Sequence, residues 1–127
     1  MLWFINKIKS LEKSVEGLIP VARVSGTGPL IIGELAIPVS SAMHIIGTYI
    51  GIHTANGEAA SFVFSYLVRN WNGTITIDSE EAIAAGGTFN GSVPSPTIDT
   101  GKILFTVQAE ELTFWAANWQ ILTVTSI

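Results

Sequence analysis

Three Asn-Gly dipeptides, Asn56-Gly57, Asn72-Gly73 and Asn90-Gly91, punctuate a chain whose remaining text is largely β-branched and aromatic. Asn and Gly take positive φ at low cost, which is what the tight turn of a twisted two-stranded hairpin needs. The runs around them are Ile31 to Val39, Ala42 to Thr54, Ala59 to Arg69, Thr74 to Asp78, Lys102 to Ala109 and Leu112 to Thr125. They are rich in Val, Ile, Thr, Phe, Tyr and Trp, and several alternate with period two, so they predict antiparallel strands. Phe62, Phe64, Tyr66 and Val68 share one face of their run, and Ser61, Val63, Ser65 and Leu67 share the other. Both faces are fairly apolar, as expected of a strand covered by a second sheet or by a neighbouring subunit. Asn72-Gly73-Thr74 and Asn90-Gly91-Ser92 also match the glycosylation sequon, but turn chemistry already accounts for them.

The first eighteen residues follow a different rule. Met1, Phe4, Ile8, Leu11, Val15 and Leu18 recur at alternating spacings of three and four, the stripe of an amphipathic helix or a short heptad seam. Gly17 and Pro20 stop it. Leu2, Trp3 and Ile5 add apolar bulk outside the stripe, so the first turn needs a partner surface. A helix lying on its own sheet, a short parallel bundle, a protein socket and a bilayer interface all answer that need. The chain is therefore expected to divide into an amphipathic helix at 1–18 and a β-sandwich at 19–127. Leu2, Trp3, Phe4, Ile8, Leu11, Val15 and Leu18 are its expected subunit or capsid interface. Residues 82–101, with Ala84-Ala85-Gly86-Gly87 and Val93-Pro94-Ser95-Pro96, read as a long loop with one short strand, suited to a contact surface.

Composition narrows the function classes. Charged residues make up 13% of the 127, against about 25% in an average soluble domain. Such a surface is either covered by other subunits or built of Thr, Ser, Asn and Gly. Residues 1–23 carry Lys7, Lys9, Lys13 and Arg23 against Glu12 and Glu16, a net +2. The remainder carries Arg69 and Lys102 against eight carboxylates, a net −6, which argues against a nucleic-acid partner. No apolar run approaches ~20 residues, so no membrane span is expected. Met1 to Ile5 lack a preceding basic region and a cleavage site, so they are not read as a signal peptide. There is no cysteine.

Candidate chemistry is sparse. His44 and His53 are nine residues apart in one predicted strand and point to opposite faces, a poor arrangement for a shared metal. Asp78, Glu80 and Glu81 form the densest acidic cluster, but without the glycine and spacing of a calcium loop. Paired carboxylates would suit glycoside hydrolysis only across a cleft. No Gly-x-Ser-x-Gly, phosphate loop or metal-ligand spacing is present, so neither a cofactor nor enzymatic activity is expected. Trp115, Ala117 and Trp119 share one face, opposite Phe114 and Ala116. Exposed, Trp115 and Trp119 would stack on sugar rings; buried, they would be core or subunit interface.

Ile103 to Val107, Thr113-Phe114-Trp115-Ala116-Ala117 and Ile121 to Thr125, with Val21-Ala22-Arg23 and Trp71-Asn72-Gly73, resemble a β domain common in bacteriophage structural proteins. The scattered pieces cover about half of the chain, and Gln108-Ala109 departs from the glycine turn often found there. The resemblance implies a jelly-roll-like antiparallel β-sandwich assembled as a homotrimer on a phage head, tail fibre or receptor-binding tip. It assigns no catalytic residues. The small size points to a head-decoration or cement protein bound to the major capsid protein on the virion surface. The alternative is a tail-fibre or receptor-binding tip that recognises host-surface glycans.

Overall fold

The computed structural model describes residues 22–87 and 93–126. The expected helix at 1–18, with its interface residues Leu2, Trp3, Phe4, Ile8, Leu11, Val15 and Leu18, and the Asn90-Gly91 turn lie outside them. The described residues form six strands: β1 (Ala22–Ala36), β2 (Ser41–His53), β3 (Ala59–Trp71), β4 (Thr74–Gly87), β5 (Ser95–Asp99) and β6 (Lys102–Thr125). All pairings are antiparallel, and they link the strands into one sheet of order β1-β6-β2-β3-β4, with β5 also against β6. The all-β expectation holds. The wiring of the described strands is a meander, β2-β3-β4, joined to β1 and β5 through β6. A jelly roll instead distributes eight strands over two Greek keys.

One strand makes two layers out of this sheet. The first half of β6 pairs with β5 and with Gly28–Ala36 of β1, and its second half pairs with β2 and with Ala22–Gly26 of β1. Between them the β1–β6 ladder steps from Gly26↔Thr113 to Gly28↔Ala109, so Glu110, Glu111 and Leu112 bulge opposite Thr27. Bulges bend a strand and let it cross from one layer to the next. The two runs expected as separate strands, 102–109 and 112–125, are thus one strand bent at this bulge. Its halves then face each other: the Phe105 ring lies 5.0 Å from that of Trp119 and 5.6 Å from that of Tyr66 on β3.

The core fills the space between the layers. Ile45, Tyr49, Tyr66, Val68, Ile103, Phe105, Trp115 and Trp119 are all buried there. Large rings supply most of the burial, roughly 150–250 Å² each, and each such side chain stabilises by roughly 1.5–3 kcal/mol. Three of their polar atoms are matched internally: the Trp119 indole N–H donates to the Tyr49 hydroxyl at 3.0 Å, which lies 2.9 Å from the Tyr66 hydroxyl. Gly33 on β1 makes room for the indole, since a Cβ there would come within 2.5 Å of Trp119 Cη2.

The turns follow their chemistry. Trp71 pairs with Thr74 across a two-residue turn in which Asn72 and Gly73 have φ of 55° and 84°, the mirror-image geometry such a hairpin favours. Asn56-Gly57 sits in a longer connection, where Asn56 Oδ1 accepts from the Glu58 N–H. Residues 82–101 are not a continuous loop. β4 runs on to Gly87 along β3, and Ser95–Asp99 forms β5. Weak strand formers such as Ala and Gly are carried there by the ladder to β3 rather than by burial, because β4 from Glu80 onward is exposed on both faces.

Candidate functional site

The outer face of β6, β2 and β3 holds the features that bear on function. Outward positions on β3 include Leu67, Arg69 and Trp71, and those on β6 include Phe114, Leu122 and Val124. Trp71 is held at the strand end by the tight Asn72-Gly73 turn and is 56% exposed. Beside it the Arg69 guanidinium donates through Nε to Asp78 Oδ2 at 2.8 Å. A shallow groove of about 270 Å³ runs past these residues, lined also by Ser40, Ser41, Asn70 and Ser126. An exposed indole beside the Arg69–Asp78 ion pair offers a sugar ring an apolar face to stack on and charged groups near its hydroxyls, while the Asn70 amide and the Ser41 hydroxyl are buried and donate to the Ile37 and Pro38 carbonyls.

At the other end of the same face lies a larger groove of about 580 Å³ between β1, β6 and β2. Val24, Ile50, Ile52, Ala59, Phe114 and Ala116 line it, with Arg23 at the side. Its walls are almost wholly apolar, so it suits another apolar surface more than a polar ligand.

Trp115 and Trp119, read from sequence as a possible aromatic contact surface, are 3% and 2% exposed and point into the core. The correction has a simple cause: their parity places them on the face that the first half of β6 covers, opposite outward Phe114. Trp71 was singled out only as part of a turn. The signal that could have found it is its position directly before Asn72-Gly73, where a hairpin end holds a side chain in solvent.

The titratable groups make no catalytic cluster among the described residues. His44 lies outward on β2 with Nε2 2.9 Å from Ser65 Oγ, while His53 Nδ1 lies 3.6 Å from Glu111 Oε2 at the other end of the strand. They face opposite sides of the sheet, as expected. Asp78 is engaged by Arg69, and Glu80 and Glu81 lie exposed along β4. No group of three or more His, Cys, Asp or Glu capable of holding a metal occurs among the described residues. No helix among them is long and apolar enough to cross a membrane. Burial pushes the Tyr49 hydroxyl up to about 12 and raises Tyr66 as well. Lys102 is raised by its hydrogen bond to Glu34 Oε2 at 3.0 Å.

No protein-family description matches this chain, and no curated protein is similar to it in sequence. Solved structures are. The chain superposes on the tailspike protein of Acinetobacter baumannii phage AM24 with a TM-score of 0.54 and 12% identity, over 87% of this chain and 27% of that one. A tailspike protein of Acinetobacter baumannii bacteriophage Fri1, described as a capsular polysaccharide depolymerase, matches with a TM-score of 0.47 and 8% identity, over 94% of this chain and 23% of that one. The chain therefore spans about a quarter of the length of these proteins, and the likeness is one of fold. One of these proteins is described as a depolymerase, and the expectation of a chain with no enzymatic role is withdrawn. That expectation rested on missing motifs, and glycoside chemistry leaves no such motif: it needs only two carboxylates placed across a cleft.

Proposed function

We propose that this chain is a bacteriophage virion protein of the tail, a β module of tailspike type that contacts glycans of the host surface. The observation that carries the reading is Trp71, an indole standing in solvent at one end of the outer face beside the Arg69–Asp78 pair. The fold likeness to a tailspike supports the setting, and the tail accommodates it better than the head surface. A head-decoration role with the major capsid protein as partner has no comparable support. The homotrimer belongs to the same proposal, with the apolar groove at Ile50, Ile52 and Phe114 as the surface through which copies meet.

An array of bacterial surface polysaccharides probed with the purified chain tests the reading. Selective binding is expected, and Trp71→Ala is expected to weaken it roughly tenfold or more, the usual loss when a central aromatic anchor is removed. Arg69→Ala should cost less. A chain that binds no polysaccharide, or one whose binding is indifferent to Trp71→Ala, would count against the site.

A further inference from the structure

The outer face carries a second unexplained feature, at the part of β6 that β1 does not reach. β1 begins at Ala22, opposite Ala117, and runs toward the Gly26↔Thr113 pair. Along the side of β6 where β1 pairs, Asn118 to Thr125 have no partner strand among the described residues. The same stretch presents the most exposed large apolar side chains of the described residues, Leu122 at 74% and Val124 at 68%. In register with them across β2 and β3 come His44 with Leu67 and Ala42 with Arg69, which makes a strip three strands wide.

We propose that the amphipathic stripe of residues 1–18 covers this strip of its own chain. Three properties fit it there. As the helix that the sequence pattern predicts, eighteen residues span ~27 Å, and eight strand residues span about the same length. Three strands at a spacing of ~4.8 Å present a strip ~10 Å across, the width of one helix. Charge is complementary at one margin: Lys7, Lys9 and Lys13 give the segment its positive excess, and Glu81, opposite outward Ser65, borders the strip on β4. The stripe of Phe4, Ile8, Leu11, Val15 and Leu18 then meets Leu67, Leu122 and Val124; it also covers Ala42 and Arg69, which with Val124 line the groove beside Trp71, so the cover and a ligand in that groove exclude one another. The inference does not depend on the glycan reading.

The chain has no cysteine, so single thiols report on the strip without interference. Maleimide labelling of Leu122→Cys in the full chain is compared with the same variant carrying Ile8→Asp and Leu11→Asp. Labelling is expected to be roughly tenfold slower in the first, the protection given by about 90% occupancy of the covered state. Ile83→Cys on β4 serves as the control and should label equally in both backgrounds. Val124→Cys repeats the measurement should Leu122→Cys disturb folding, and the near-ultraviolet tryptophan signal checks that the core is intact. Equal rates at both thiols overturn the proposal. Oxidation of a Leu11→Cys and Leu122→Cys pair gives the second readout: a cross-link at monomer mass supports it, and one at dimer mass assigns the cover to a second copy and overturns it.

Discussion

The two faces of β2, β3 and β6 are cut from the same strands and are both apolar, yet they have opposite fates. The inner face takes Tyr49, Tyr66, Trp115 and Trp119, and the bend in β6 lays Phe105 and Ile103 over them. The outer face takes Ile50, Ile52, Phe114, Leu122 and Val124, over which no described element lies. What separates them is fit. Inside, rings interlock, hydroxyl and indole groups satisfy one another, and a glycine makes space for an indole edge. Outside, the side chains are mostly aliphatic and make a smooth surface that another surface can lie on. Hydrophobicity selects the candidates for burial, and a second layer decides which of them become core.

That contrast is most exposed to failure at Trp119. Trp119→Ala should cost about 3–5 kcal/mol and be visible as a large fall in Tm, whereas Phe114→Ala on the outer face should stay within about 0.5 kcal/mol. Comparable losses from the two substitutions would erase the distinction between the faces.

The next effect is on alkaline stability. The chain has two tyrosines, and both are in the core. Because the folded Tyr49 hydroxyl is raised from 10.0 to about 12, the folded state favours the neutral phenol. The stability this contributes is complete below pH 10 and is lost as pH rises from there toward 12. Tyr66, raised as well, acts in the same direction. Tyrosinate absorbance should therefore rise together with loss of the folded circular-dichroism signal. Phenolate formation in a chain that stays folded would show that the two hydroxyls are reached by water.

A smaller change in stability but a clear one in assembly is expected from Ile52→Lys in the apolar groove. It should leave Tm nearly unchanged while lowering the solution mass toward that of one chain, as measured by light scattering. A mass that does not respond would move the subunit contact elsewhere. Least of all, Lys102→Ala should barely shift Tm, since the Lys102–Glu34 pair is a surface contact. A loss of several degrees in calorimetry would show that this edge is more ordered than a surface pair allows.

Much of the sheet is legible in the residues, because alternation and turn chemistry are local. The period-two pattern from Ala59 to Arg69 puts Phe62, Phe64, Tyr66 and Val68 on one face, and Asn72-Gly73 marks its hairpin. The fate of β6 is not local. Nothing between Ala109 and Leu112 distinguishes a turn between two strands from a bulge within one, because the difference lies in what β1 does at Thr27, opposite these residues. Within 82–101 the one short strand expected is Ser95–Asp99, but the start of the stretch is no loop, for a related reason: Ala84 to Gly87 have little strand preference of their own and owe their extended form to pairing with β3. The aromatic site was misplaced because parity alone says that Trp115 and Trp119 share a face. It does not say which face is roofed.

The shared strand also sets an order on how the molecule comes into being. β1 lies at one margin of the sheet and finds its partner only in β6, some eighty residues later in the sequence. A chain emerging from the ribosome can close the β2–β3–β4 meander early, but neither layer can meet the other until residues through Thr125 are out. Contacts so distant along the chain carry a heavy loop-closure cost, so assembly of the core should be slow and late. Until then the aromatic face of the meander stands uncovered, and nascent chains crowded together would be prone to stick there.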